Sequence, residues 1–212
     1  MVRYTGPACK LCRREGTKLF LKGERCVNGK CSLDGTLRNH APGQHGDTGF
    51  KKAPKGYGKM LREKQKTKRF YGVQEKQFRG YFEDAKKTKG VTGENLLSIL
   101  ERRIDNVVYR MGMAESRKEA RQLVLHGHFR LNGKKVDIPS LLVNKGDVIT
   151  LRDSSRDSVK IKGLIEGLEN RIVPKWIELN KHEVVATIAE LPVREDVDFP
   201  VEEHLIVELY TK

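Results

Sequence analysis

The 212-residue sequence holds four cysteines, Cys9, Cys12, Cys26 and Cys31, spaced as C-x2-C, thirteen residues, then C-x4-C. Each pair can set two thiolates on one side of a tight turn, and two pairs can close a tetrahedral zinc site with no open position. Such a site is structural: metal binding supplies folding free energy to a segment that lacks a core. From Cys9 to about Pro54 the chain is dense in Gly, Pro, Asn and His, with no sustained apolar period. Lys10, Arg13, Arg14, Lys18, Lys22, Arg25 and Lys30 would then stand on a rigid basic knob. Two other uses of the cysteines stay open. A disulfide is disfavoured where thiols are kept reduced, and an iron–sulfur cluster could take the same four ligands. A redox dithiol at the C-x2-C finds no surrounding strand-and-helix unit.

The second concentration of chemistry is cationic. Arg62, Lys64, Lys66, Lys68 and Arg69 are interrupted by one acid, Glu63, and flanked by Tyr57, Phe70 and Tyr71. Cations hold phosphates, and aromatic planes can stack unpaired bases; the plainer alternative is a solvated helix face. Further on, Arg103 and Arg110 are seven apart, and Arg117 and Arg121 four apart, so each pair falls on one face of a helix. Arginine suits phosphate because its planar fork binds two oxygens at once. Lys118, Gln122, His126, His128, Arg130, Asn132, Lys134 and Lys135 continue that polar series. His126, at a helix end, is as readily a structural group as a contact; His128, beside a turn and an arginine-bearing strand, is the better contact candidate.

These side chains need elements to hold them. Met60 to Tyr71 and Val73 to Lys89 read as two basic helices broken near Gly72, the second stopped by Gly90. Leu96, Leu97, Leu100, Ile104, Val107, Val108 and Met111 fall on one stripe, predicting a single amphipathic helix from about Gly93 to Met111. Ser116 to Glu119 reads as a capping box opening a shorter helix that stops at His126 and Gly127. Asn132-Gly133 suits a tight hairpin within Phe129 to Val136, and Val148 to Leu151 reads as a strand. Val184 to Leu191 and Leu205 to Tyr210 read as short strands or a terminal helix, with no pairing assigned.

Charge divides along the chain. The total is +14; residues 1–90 carry 23 basic and 8 acidic side chains, residues 91–152 carry 11 and 7, and residues 153–212 carry 8 and 13. A polyanionic partner is favoured over a small neutral substrate, with the attraction concentrated at the N-terminal end. No apolar run approaches the ~20 residues of a membrane span, and Met1 to Gly6 lacks a signal-peptide stretch. A cytoplasmic protein with no membrane partner is expected.

The residues from about Arg102 to Leu151, with the run from Ser116 to Val124, His126-Gly127-His128 and Leu131-Asn132-Gly133-Lys134, resemble the RNA-binding domain of the ribosomal protein S4 type. That domain is widely shared. The N-terminal half narrows it: the run from Arg3 to Ala8, the four-cysteine knob, Pro42 to Gly46, Leu61 to Lys66 and Tyr71-Gly72-Val73 resemble the bacterial small-subunit ribosomal protein S4 family in its zinc-binding form. The resemblance implies an α+β fold: a zinc knob over 1–45, a basic helical region over 46–91, a helix-helix-hairpin RNA-binding domain with a small antiparallel sheet over 92–165, and a C-terminal extension over 166–212 packing on the preceding regions. It implies a structural, non-enzymatic constituent of the small subunit that binds small-subunit (16S) rRNA at a multi-helix junction in the 5′ domain and nucleates assembly. It further implies a structural Zn2+, contact with protein S5 and other small-subunit proteins, proximity to the mRNA entry path, an influence on translational accuracy, and in some members repression of their own mRNA. Arg3, His45, Lys55, Tyr57 and Ser116 join the cations above as expected RNA contacts.

Two rival classes carry specific signals. Arg103-Ile104-Asp105 mimics the catalytic triplet of pseudouridine synthases, which share the RNA-binding domain, yet no catalytic domain remains to surround it. A DNA-binding regulator would need an exposed recognition helix with no hairpin directly after it. Gly43 to Gly46 lacks the Gly-Lys-Ser/Thr ending of a phosphate loop and reads as a tight turn.

Overall fold

The computed structural model describes residues 4–34, 40–46 and 54–211, with Asn170 by its backbone alone. In chain order its elements are α1 (Ala8–Glu15), α2 (Tyr57–Phe70), α3 (Glu75–Lys87), α4 (Thr92–Glu101), α5 (Ile104–Arg110), α6 (Arg117–Leu125), β1 (Phe129–Leu131), β2 (Lys134–Val136), β3 (Val148–Leu151), α7 (Asp153–Arg156), α8 (Val159–Glu166), β4 (Ile177–Asn180), β5 (Val185–Ile188) and α9 (Glu203–Thr211). They form two compact units, one of residues 1–93 with 200–212, the other of residues 94–199.

In the first unit, Gly72 at φ 64° turns the chain between α2 and α3, as the sequence predicts. Phe78, Tyr81, Phe82 and Ala85 recur at helical spacing on α3 and are buried. The Tyr210 ring of α9 lies 4.8 Å from that of Phe82, and Tyr210 Oη donates to Glu75 Oε1 at 2.9 Å. The segment 166–212, expected as one extension, therefore divides: its last thirteen residues belong to this unit, while β4 and β5 belong to the other. The Gly-rich start is also more ordered than its composition suggests. Ala8 and Cys12 bury one face of α1, and Leu19 and Leu21 are buried beside them.

The second unit is built on an antiparallel sheet of order β2-β1-β3-β5-β4. The hairpin and β3 stand where the sequence places them; β5 and β4 enlarge the expected small sheet to five strands. Asn132 at φ 49° and Gly133 at φ 79° make the left-handed pair that a two-residue hairpin requires. Phe129, Val136, Ile149, Leu151, Ala186 and Ile188 join Ile104, Val107 and Val108 of α5, Met111 just after it, Ala120 and Val124 of α6, and Trp176 in one core.

The single helix predicted from Gly93 to Met111 is two helices. Arg103 is extended (φ −64°, ψ 132°), and its neighbours bond to a loop: Ile104 N donates to Leu141 O at 2.8 Å, and Val143 N donates to Arg102 O at 2.9 Å. Ser116 does cap α6, its Oγ accepting from Glu119 N at 3.3 Å, while the Glu119 carboxylate turns to Glu115 N.

Candidate nucleic-acid interface

The first correction concerns the arginines. Arg103, expected at the surface, is 1% exposed and grips Asp105 through Nε at 3.1 Å and Nη2 at 2.8 Å. Arg110 is buried between two acids: Nε and Nη2 donate to Glu101 at 3.0 and 2.7 Å, and Nη1 and Nη2 to Asp198 at 2.8 Å each. Burial alone would favour a neutral guanidine, but Glu101 and Asp198 outweigh it and hold Arg110 charged. Arg117 is 7% exposed; its Nε donates to Asn106 Oδ1 at 2.7 Å and its guanidinium lies 4.4 Å from the Tyr109 ring centre. Arg117 thus ties α6 to α5 and Arg110 ties α5 to α4 and to Asp198, because a buried charge must find polar partners. Asp105 is the internal counter-ion of Arg103 and, at 3.3 Å, of Arg121. It is thus buried between cations rather than open to a substrate.

The outer face of α6 is set one residue along from the expected one. Gln122 and Leu125 are exposed, Lys118 and Arg121 partly so, and the four fall at i, i+3, i+4 and i+7. The face continues into the hairpin, where Lys134 and Lys135 are exposed and Arg130 is partly exposed, 3.6 Å from Asp153. Asn132 is exposed but committed: its Nδ2 donates to Asp147 at 2.8 Å and its Oδ1 accepts from Val148 N at 2.9 Å, pinning the turn to β3. His128 is half-buried, with Nδ1 2.9 Å from Ser155 Oγ. Lys145, Arg152 and His126 are exposed neighbours in sequence that the expected contact set omits.

In the first unit the cationic run of α2 is largely neutralised within the protein. Lys64 Nζ and Lys68 Nζ hold Glu75 at 2.6 and 2.8 Å, Lys66 holds Glu63 at 2.6 Å, and Arg62 and Arg69 both reach Glu15. Burial pushes the Glu75 carboxyl up, but hydrogen bonds from Lys64, Lys68 and Tyr210 outweigh it and bring it to about 2. Burial also raises Glu15, which stays above the usual carboxylate range in spite of Arg69 and Arg62. The run is therefore not a row of free phosphate grips, and Lys64 in particular is buried. Exposed cations stand elsewhere: Lys10, Lys22, Lys55 and Lys59, and Lys76, Arg79 and Lys86 on the outer face of α3. The α3 cations went unpredicted, although they lie opposite the Phe78, Tyr81, Phe82 stripe, and that periodicity marks the outward face. Tyr57 and His45 are exposed, Arg13 and Arg14 partly buried, Tyr71 and Phe70 buried; Arg3 lies outside the described residues.

The four cysteines carry no disulfide and line one pocket together with Ala8, Leu21, Lys22, Arg25, Lys30 and Ser32. Among the described residues no group of three His, Cys, Asp or Glu side chains is closed to metal-holding geometry. Burial raises the Cys12 thiol above its ordinary value, the other three cysteines adding to that. Four thiols on one pocket are a donor set that suits a thiophilic ion, but in this structure they are not gathered into a metal-holding cluster.

A helix pair backing an antiparallel sheet, with lysines along an Asn-Gly hairpin, has the build of an RNA-binding module, and the other unit is basic and helical. Residues 102–149 match the family model of the S4 domain, and residues 3–101 match that of the ribosomal protein S4/S9 N-terminal domain. The chain is 59% identical over 212 residues to small ribosomal subunit protein uS4 of Citrifermentans bemidjiense, 60% to that of Clostridioides difficile and 57% to that of Halothermothrix orenii, covering 100% of both chains in each case. The chain belongs to the uS4 family of small-subunit ribosomal proteins. Among the described residues no helix is long and apolar enough to cross a membrane.

Proposed function

We propose that this chain is a structural, non-enzymatic component of the small ribosomal subunit that binds rRNA through the outer face of α6 and the β1–β2 hairpin. The observation that supports the reading is the sorting of cations in the second unit. Arg103, Arg110 and Arg117 are spent inside, whereas Lys118, Gln122, Arg130, Lys134 and Lys135 remain toward solvent around one helix and one turn, with Arg121 between the two, partly exposed and reaching Asp105. Lysines set by a rigid turn position a phosphate backbone, and Arg121 and Gln122 add directional donors. The first unit supplies further attraction through Lys10, Lys22, Lys55 and the α3 cations.

The finer parts of the reading follow the family: primary binding of 16S rRNA at a multi-helix junction in the 5′ domain, nucleation of assembly, contact with protein S5, a place near the mRNA entry path, and an effect on accuracy. Repression of its own mRNA would use the same face. Cys9, Cys12, Cys26 and Cys31 would hold a structural Zn2+ that fixes the knob carrying Lys10, Lys22, Arg25 and Lys30; the ion supplies cross-linking only. Metal analysis of the purified protein should give one zinc per chain, whereas equimolar iron with visible absorbance contradicts zinc.

The functional test is competition. Structured small-subunit rRNA should displace the protein from duplex DNA of equal charge, because RNA shape and 2′-hydroxyl contacts favour it. Equal retention by the two would instead support a general polyanion binder.

A further inference from the structure

The turn that joins α6 to β1 brings two titratable side chains together. Gly127 at φ 71° reverses the chain, and the rings of His126 and His128 come to lie 6.1 Å apart, tilted by 44°. Neither side of this turn is neutral ground. The Lys135 stem of β2 crosses Gly127 so closely that a Cβ there would collide with it. Arg152, at the end of β3, donates its backbone N–H to His128 O at 2.8 Å, and its guanidinium acts electrostatically on the His128 ring. Arg130 on β1 is turned toward Asp153 of α7, an exposed acid 3.6 Å away. Among the described residues the charged groups around the turn are thus Lys135, Arg152 and Arg130 as cations and Asp153, engaged by Arg130, as an acid.

We propose that His126 and His128, with Lys135 and Arg152, form a phosphodiester subsite of the RNA interface whose occupation takes up a proton onto the histidine pair. The inference rests on the RNA-binding reading and deepens it. Ser155 makes the chemistry workable. Its hydroxyl, buried and 2.9 Å from His128 Nδ1, can donate to a neutral ring and accept from a protonated one, so protonation breaks no hydrogen bond. Among the described residues His128 Nε2 has no hydrogen-bond partner, which leaves it to donate to a phosphate oxygen. In the free protein burial, then His126 and Arg152, hold His128 below its ordinary value, so its ring is mostly neutral near neutral pH. An anion between the rings reverses the sign: it offsets the repulsion from Arg152 and favours the imidazolium. Binding and protonation are then linked, and each strengthens the other.

The test uses the full-length, metal-replete protein and a small-subunit rRNA transcript as the probe, at fixed ionic strength. Wild-type affinity should fall about tenfold from about pH 6 to about pH 8, and calorimetry in buffers of different ionisation enthalpy should show roughly half to one proton taken up per complex near pH 6.5. H126Q, an exposed substitution that leaves the fold alone, should lose part of the pH slope, and H126Q/H128Q should flatten it while still binding at high pH. A flat wild-type profile, zero proton uptake, or an unchanged slope in H126Q/H128Q overturns the subsite. Absence of RNA binding at every pH overturns the RNA reading itself, and the subsite with it.

Discussion

At the scale of single residues, the deciding fact is which cations already have a carboxylate. Arg110 pairs with Asp198, 88 positions away, and Arg69 with Glu15, 54 positions away. Neither pairing has a sequence signal, so a face of arginines and a face of buried counter-ions look alike in the sequence. Replacing Arg110 by Ala strands Glu101 in the core and should cost about 3–5 kcal/mol of stability in a denaturant titration. Lys134→Ala and Lys135→Ala should leave stability within about 0.5 kcal/mol and each lower the salt slope of RNA binding by roughly one. If instead the lysine changes melt the protein and Arg110→Ala folds but loses RNA, the assignment of inner and outer cations is reversed. The Asn132-Gly133 turn was legible because its information is local, the left-handed backbone that both residues adopt.

Among the elements, those the sequence revealed carry their own stop signals. Gly72, the Ser116 cap and the Asn132-Gly133 turn each mark an end by a local conformational need, and the elements end there. The break between α4 and α5 has no such mark. Leu100, Ile104 and Val107 keep helical spacing across it, and what interrupts the helix is the loop around Leu141 and Val143 bonding into its backbone. Strand β4 was missed for a different reason: of its four residues, paired with β5 across a short turn, only Ile177 is buried, and α1 was missed because only Ala8 and Cys12 form its inner face. The junction of α2, α3 and α9 turns on Glu75, and its titration gives a directional prediction. Its folded pKa of about 2 lies below the ordinary carboxylate value of 4.5, so its contribution is complete above about 4.5 and is lost as pH falls toward 2. Glu75→Gln should lower stability at neutral pH and show a shallower loss over that acid window. Acid denaturation curves that superimpose for the two proteins would contradict this role. Gly133→Ala, which forces a Cβ into a left-handed position, should cost about 1 kcal/mol or more and loosen the hairpin without touching the core.

For the whole molecule, the division into two units separates two kinds of order. The second unit has its own apolar core, so chelating the metal proposed for the cysteines should leave its thermal transition in place. The same treatment should expose the amides of α1 to hydrogen exchange, because little core holds that segment. Protection of α1 that survives a chelator would show that Leu19, Leu21 and the Glu15 ion pairs suffice without metal. The charge asymmetry that first pointed to a polyanion acquires a more specific meaning. Much of the α2 positive charge is consumed internally, and what remains toward solvent lies on α3, on the cysteine knob and around the α6 face and hairpin. The central claim, a structural place in the small subunit through rRNA, is tested most directly by sedimenting ribosomal subunits through high salt and quantifying this protein in each fraction. The account predicts about one copy retained per small subunit, through contacts that outlast loss of phosphate attraction; recovery of the protein at the top of the gradient, free of the small subunit, would contradict it.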